Sequence, residues 1–94
     1  MRTRQILVTG RVLGVGYRYA LRDEALQLGV AGWVRNRADG SVEALLQGDA
    51  AALAQLIAWA RRGPRLAQVD ELRDDPPQAH YDRPYTGFEI RPSG

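Results

Sequence analysis

Gln5-Ile-Leu-Val-Thr-Gly-Arg-Val-Leu-Gly-Val-Gly-Tyr-Arg18 is the stretch that decides the fold of this chain. Gln5 to Gly10 is a short apolar, β-branched run that reads as a buried strand. From Tyr17 the period changes: Tyr17, Leu21, Ala25 and Leu28 fall on one face of a helix, and Gly29 stands where a helix stops. Between strand and helix lie Gly10, Gly14 and Gly16, whose backbones can fold closely around a guest. Loop amides, a helix N-terminus and the guanidinium of Arg18 together make a receptor for a small tetrahedral anion such as phosphate.

Outward from this stretch the pattern continues as strand, strand, helix, strand. Val30 to Asn36 reads as a second strand, Arg37-Ala-Asp-Gly40 as a hairpin turn, and Ser41 to Gln47 as a third strand. In that third strand Val42, Ala44 and Leu46 face one side, and Ser41, Glu43 and Gln47 the other. Asp49 is the expected N-cap of a second helix, buried along Leu53, Leu56, Ile57 and Ala60 and ended by Gly63-Pro64. Gln68 to Arg73 is a weaker strand, Asp74 to Pro84 an exposed polar connection, and Gly87 to Arg91 a last short strand.

The expected fold is therefore α+β: the ferredoxin-like split β-α-β plan, β-α-β-β-α-β plus a short C-terminal strand. Both helices should cover one face of a mixed antiparallel sheet and leave the other face more exposed. The chain reads as a single domain over 1–94, with its core at about 5–90. A right-handed crossover makes the first two strands parallel, so their C-terminal ends share one edge of the sheet. The glycine loop leaves the first of these ends and Asn36 closes the second, which turns both toward a common space.

Composition removes several chemistries. With no cysteine there is no disulfide frame and no thiolate nucleophile, which fits a cytoplasmic protein. With no lysine there is no Schiff base and no Walker-type phosphate lysine. No apolar run reaches the roughly 18 residues of a membrane span. Within residues 1–37 seven arginines stand against Asp23 and Glu24, so basic surface surrounds the glycine loop. Asp23 and Glu24 are neighbours on the first helix, do not face each other, and read as partners of its dipole. His80, the only histidine, sits in the proline-rich connection without a nearby carboxylate pattern or metal-ligand spacing.

These residues resemble the acylphosphatases. The first signature of that family, Gly-x-Val-Gln-Gly-Val-x-Phe/Tyr-Arg, is met by Gly10 to Arg18 except at Leu13, which stands in place of glutamine. The second is met at every position by Gly32-Trp-Val-Arg-Asn36, Gly40, Val42 and Gly48. The resemblance implies hydrolysis of small acyl phosphates to carboxylate and inorganic phosphate, with no metal and no cofactor. By position, it makes Arg18 and Asn36 catalytic: Arg18 binds the phosphoryl group and Asn36 holds the attacking water. The amides of Leu13, Gly14, Val15, Gly16, Tyr17 and Arg18 would cradle the phosphate oxygens.

The chemistry of the residues agrees. Phosphoryl transfer rests on positioning and charge stabilisation, and a guanidinium grips two phosphoryl oxygens at once and stays charged. A carboxylate leaving group, with a pKa of about 4, needs no general acid. At Leu13 two readings stand: a loop built from main-chain amides survives the loss of the glutamine side chain, whereas a side-chain amide needed to order the loop or the water would leave phosphate binding with lower turnover. Two rival readings share the fold plan. One is a phosphate- or carbamoyl-phosphate-binding module without turnover. The other is an RNA-recognition domain, but Ser41-Val-Glu-Ala-Leu-Leu46 replaces the aromatic third-strand run such a domain needs. The expected partner is a small acyl phosphate, with no nucleic acid and no membrane, and nothing demands more than a monomer.

Overall fold

The computed structural model describes residues 1–94. Strand β1 (Arg2–Arg11) leads through the glycine loop into helix α1 (Tyr17–Leu28). Strands β2 (Ala31–Asn36) and β3 (Val42–Gly48) follow as a hairpin, then helix α2 (Ala50–Arg62) and strand β4 (Gln68–Asp75). A single 3-10 turn (Ala79–Tyr81) precedes β5 (Phe88–Ile90). The sheet runs β4-β1-β3-β2-β5. Neighbours are antiparallel except β2 and β5, which are parallel. This is the split β-α-β plan with its extra C-terminal strand at the edge beside β2.

Both helices lie over one face. Ile6 and Val8 of β1 pair with Ala44 and Val42 of β3, and Val34 of β2 pairs with Ala44 from the other side. All five are fully buried, and they pack with Leu21 and Ala25 of α1 and Leu53, Leu56 and Ala60 of α2. Each large aliphatic side chain so buried contributes about 1.5–3 kcal/mol. Ile57, expected in the same stripe, is only half-buried and packs at its margin.

The opposite face departs from expectation. It is covered at its centre: β3 is buried on both sides, and Trp33 and Leu45 are 1% and 0% exposed. The polar connection folds back over it. Tyr81 sets its ring edge-on to Trp33 at 5.0 Å. Gln5 Oε1 accepts from the Gln78 amide at 2.9 Å. Gln47 Oε1 accepts from the Tyr85 amide at 2.9 Å, and its Nε2 donates to the Arg83 carbonyl at 2.9 Å. Glu43 sits beneath, accepting from Gln5 Nε2 at 2.7 Å and from Arg35 at 2.8 Å. Side chains that read as a solvated face instead satisfy a connection that has no sheet ladder of its own.

Other local readings are also corrected. The first strand begins three residues earlier than Gln5, because Arg2–Arg4 pair with Leu46–Gly48. Strand β4 runs on to Asp75, two residues into the expected connection, where Gln5 pairs with it. Asp49 is the N-cap of α2, but its side chain makes no capping bond. Asp23 and Glu24 lie in the middle of α1, not its first turn, so they do not complement the dipole; Asp23 pairs with Arg22 at 3.2 Å.

Candidate active site

The sheet places the site. Val8 of β1 and Asn36 of β2 both pair with Val42 of β3, so the two parallel strands end side by side across β3. Side chains alternate along a strand. Val34 points beneath the helices, and Asn36, two residues on, points to the same face just beyond the core. Chain leaving β1 turns through the glycine loop into that same space before α1 begins.

Gly14 and Gly16 take left-handed conformations, with φ of 70° and 76°. A Cβ at either would meet nothing within 4 Å, so backbone conformation, not crowding, is what requires glycine there. Gly16 is also the N-cap of α1 and offers no capping side chain. No backbone carbonyl accepts from the amides of Leu13, Gly14, Val15 or Gly16. The loop thus joins free donors to the unsatisfied first amides of the helix.

Arg18, in the first turn of α1, is half-buried. It forms no ion pair with any carboxylate; the arginines that do are Arg4, Arg22, Arg35 and Arg73. Its guanidinium lies 5.9 Å from the Tyr19 ring centre. Asn36 Oδ1 is buried and has no hydrogen-bond partner within the protein. An unpaired buried amide oxygen is costly, about 1–3 kcal/mol, and is kept where a ligand or water completes it.

These groups meet in one concavity of about 140 Å³, lined by Leu13, Gly14, Gly16, Tyr17, Arg18 and Asn36, together with Val12 and Tyr19. Every residue proposed from sequence borders it except Val15, whose half-buried side chain packs on the core. Tyr19 was not singled out in the sequence; its place one residue after Arg18 is the only signal for it. Tyr17 anchors the start of α1, donating from its hydroxyl to the Ala60 carbonyl at 2.7 Å. Burial pushes that hydroxyl above the ordinary phenol range. His80 lies in the connection, its ring tilted against Tyr81 with centres 4.0 Å apart, and is not among the lining residues. No group of three or more His, Cys, Asp or Glu side chains gathers to hold a metal. No helix is long and apolar enough to cross a membrane.

A split β-α-β frame with free loop amides, an unpaired arginine and an unpaired asparagine oxygen around one concavity defines a class: small α+β proteins with a donor-rich pocket at the end of the sheet. Comparison with known proteins narrows it. The acylphosphatase family profile matches residues 4–90. An acylphosphatase of Nitrobacter hamburgensis is 55% identical over 80 residues, covering 85% of this chain and 81% of the relative. One of Thiobacillus denitrificans is 48% identical over 91 residues, covering 97% and 98%. The crystal structure of acylphosphatase from Bacillus subtilis superposes with a TM-score of 0.88 at 34% identity, covering 97% of this chain and 99% of that one. The chain belongs to the acylphosphatase family, and it is a hydrolase of acyl phosphates.

Proposed function

We propose that Arg18 and the amides from Leu13 to Arg18 hold the phosphoryl group of an acyl phosphate while Asn36 places the attacking water. The guanidinium binds two phosphoryl oxygens, and the loop donors face the third, where charge is spread in the transition state. Water oxygen bonds to phosphorus as the bond from phosphorus to the acyl oxygen breaks. The carboxylate leaves with that electron pair and needs no proton, its pKa being about 4. Asn36 is no base at neutral pH, so it orients water through its amide, and a phosphoryl oxygen takes the proton. Positive charge comes from Arg18 and main-chain dipoles, so the reaction runs without a metal.

The observation that carries this reading is Asn36, whose buried amide oxygen has no partner within the protein, lining the same concavity as the glycine loop and Arg18. The test is phosphate release from benzoyl phosphate in the presence of EDTA. Turnover is expected; a folded protein that releases no phosphate contradicts the reading.

An RNA-binding role finds less support. The sheet face on which such domains stack bases is here occupied by Trp33 under Tyr81 and by the connection. We read the enzyme as a cytoplasmic monomer, the first in keeping with a chain that has no cysteine; gel filtration at assay concentration tests the second point.

A further inference from the structure

A phosphoryl group seated against the loop leaves the acyl group projecting out of the concavity. Beside that concavity lies a larger groove of about 400 Å³, bounded by Thr9–Leu13 and by the hairpin turn Asp39–Ser41. Val12 and Leu13 border both. Val12 is 2% exposed, whereas Leu13 is 45% exposed, so Leu13 is the side chain that stands between the two spaces. It reaches the hairpin: its Cδ1 lies 4.0 Å from where a Cβ on Gly40 would stand. The carboxylate of the groove is already engaged, since Asp39 Oδ1 accepts from the Ser41 amide at 2.9 Å and from its hydroxyl.

We propose that this groove is the acyl subsite and that Leu13 is its specificity-determining residue, favouring acyl phosphates with an apolar aryl or alkyl body. The assignment rests on the phosphoryl placement above and adds the other half of the substrate. An acyl body is covalently tied to the phosphoryl group, so the space sharing a wall with the phosphate concavity is within its reach. A half-exposed leucine has apolar surface to remove from water when a phenyl ring covers it, and acetyl offers only one methyl. A glutamine at this position would present an amide that an aryl group must desolvate. The replacement of glutamine by Leu13 thereby becomes a change of substrate preference, with the anion loop left to its backbone.

Tyr19, 55% exposed, also borders the phosphate concavity and is the competing platform for an acyl group. The test is kcat/KM for benzoyl and acetyl phosphate in the parent, Leu13→Ala, Thr9→Phe and Tyr19→Ala. Leu13→Ala is expected to lower the benzoyl-to-acetyl ratio about fivefold, through KM, as apolar contact is removed. Thr9→Phe adds bulk at a residue that lines the groove, lowering the same ratio while acetyl phosphate turnover stays within about twofold of the parent. A ratio unchanged in both variants, or lost in Tyr19→Ala instead, overturns the assignment while leaving the hydrolytic reading in place. A parent inert toward both substrates overturns the hydrolytic reading and this assignment with it.

Discussion

The Tyr17 hydroxyl donates a 2.7 Å hydrogen bond to the Ala60 carbonyl, tying the first residue of α1 to the last turn of α2. Both residues are buried. The bond fixes the helix end from which the loop and Arg18 border the concavity, so packing between helices and geometry of the candidate site share one contact. Removing it in Tyr17→Phe leaves a buried carbonyl unpaired and is expected to cost about 1–2 kcal/mol, read as a lower thermal midpoint.

Burial of the same hydroxyl also sets an alkaline limit. The Tyr17 hydroxyl is held above the ordinary phenol value of about 10 by burial, so the folded chain keeps a proton that the unfolded chain releases. Between those two values the unfolded state binds fewer protons, and stability falls as pH rises. The contribution is fully present below the unfolded value and drains away above it. Urea midpoints measured from pH 8 to 11 should fall above about pH 10, and the fall should be shallower in Tyr17→Phe.

Gly63 is set against the same ring. It adopts φ of +70°, and a Cβ there would lie 2.8 Å from Tyr17 Cε2. Gly63→Ala is expected to destabilise by about 1–3 kcal/mol through backbone strain and a displaced ring. Chemical denaturation measures it, and a change below a few tenths would show that the ring gives way freely.

On the far face of the sheet, the Glu43 side chain is 8% exposed and the Arg35 side chain 28%, and they pair at 2.8 Å. Glu43→Ala strips Arg35 and Gln5 of their shared acceptor and is expected to cost about 2 kcal/mol, read from the urea midpoint. Since these side chains lie on the face of the sheet opposite Asn36, kcat of the folded fraction should hold.

Much of this was legible in the sequence, and the reasons are physical. Period changes at Tyr17 and Val30 give strand–loop–helix–strand directly, and the spacing of Gly10, Gly14, Gly16 and Arg18 marks an anion loop. Two parallel strand ends on one edge put Asn36 beside it, and the register through Val42 does so. The covered face was not legible. Gln5, Glu43 and Gln47 alternate with apolar neighbours as solvated residues do, and nothing local shows that a connection some forty residues away along the chain from Gln47 returns to take the hydrogen bonds of Gln5 and Gln47. The unpaired state of Asn36 Oδ1 was equally hidden, since it depends on what the fold fails to place beside it.

His80 offers a control for the absence of acid–base catalysis by a side chain. It is exposed in the connection, with its ring tilted against that of Tyr81. His80→Ala is expected to leave kcat/KM for benzoyl phosphate within about twofold of the parent. A tenfold loss would bring the imidazole into the reaction.

Arg18 tests the fork geometry as distinct from charge. Arg18→Lys keeps one positive charge but loses the planar pair of donors, and kcat/KM is expected to fall about a hundredfold, with Arg18→Ala lower still. Equal activity in Arg18→Lys and the parent would reduce the guanidinium to a point charge.

The division of labour between Arg18 and Asn36 is the central claim, and one measurement reaches it: kcat for benzoyl phosphate beside the inhibition constant for inorganic phosphate, both in Asn36→Ala. Removing the water-placing amide while leaving the loop and Arg18 intact should lower kcat by about a hundredfold or more and leave the phosphate constant within about threefold of the parent. Loss of phosphate affinity in step with kcat would contradict it, placing Asn36 among the groups that hold the phosphate instead of the water.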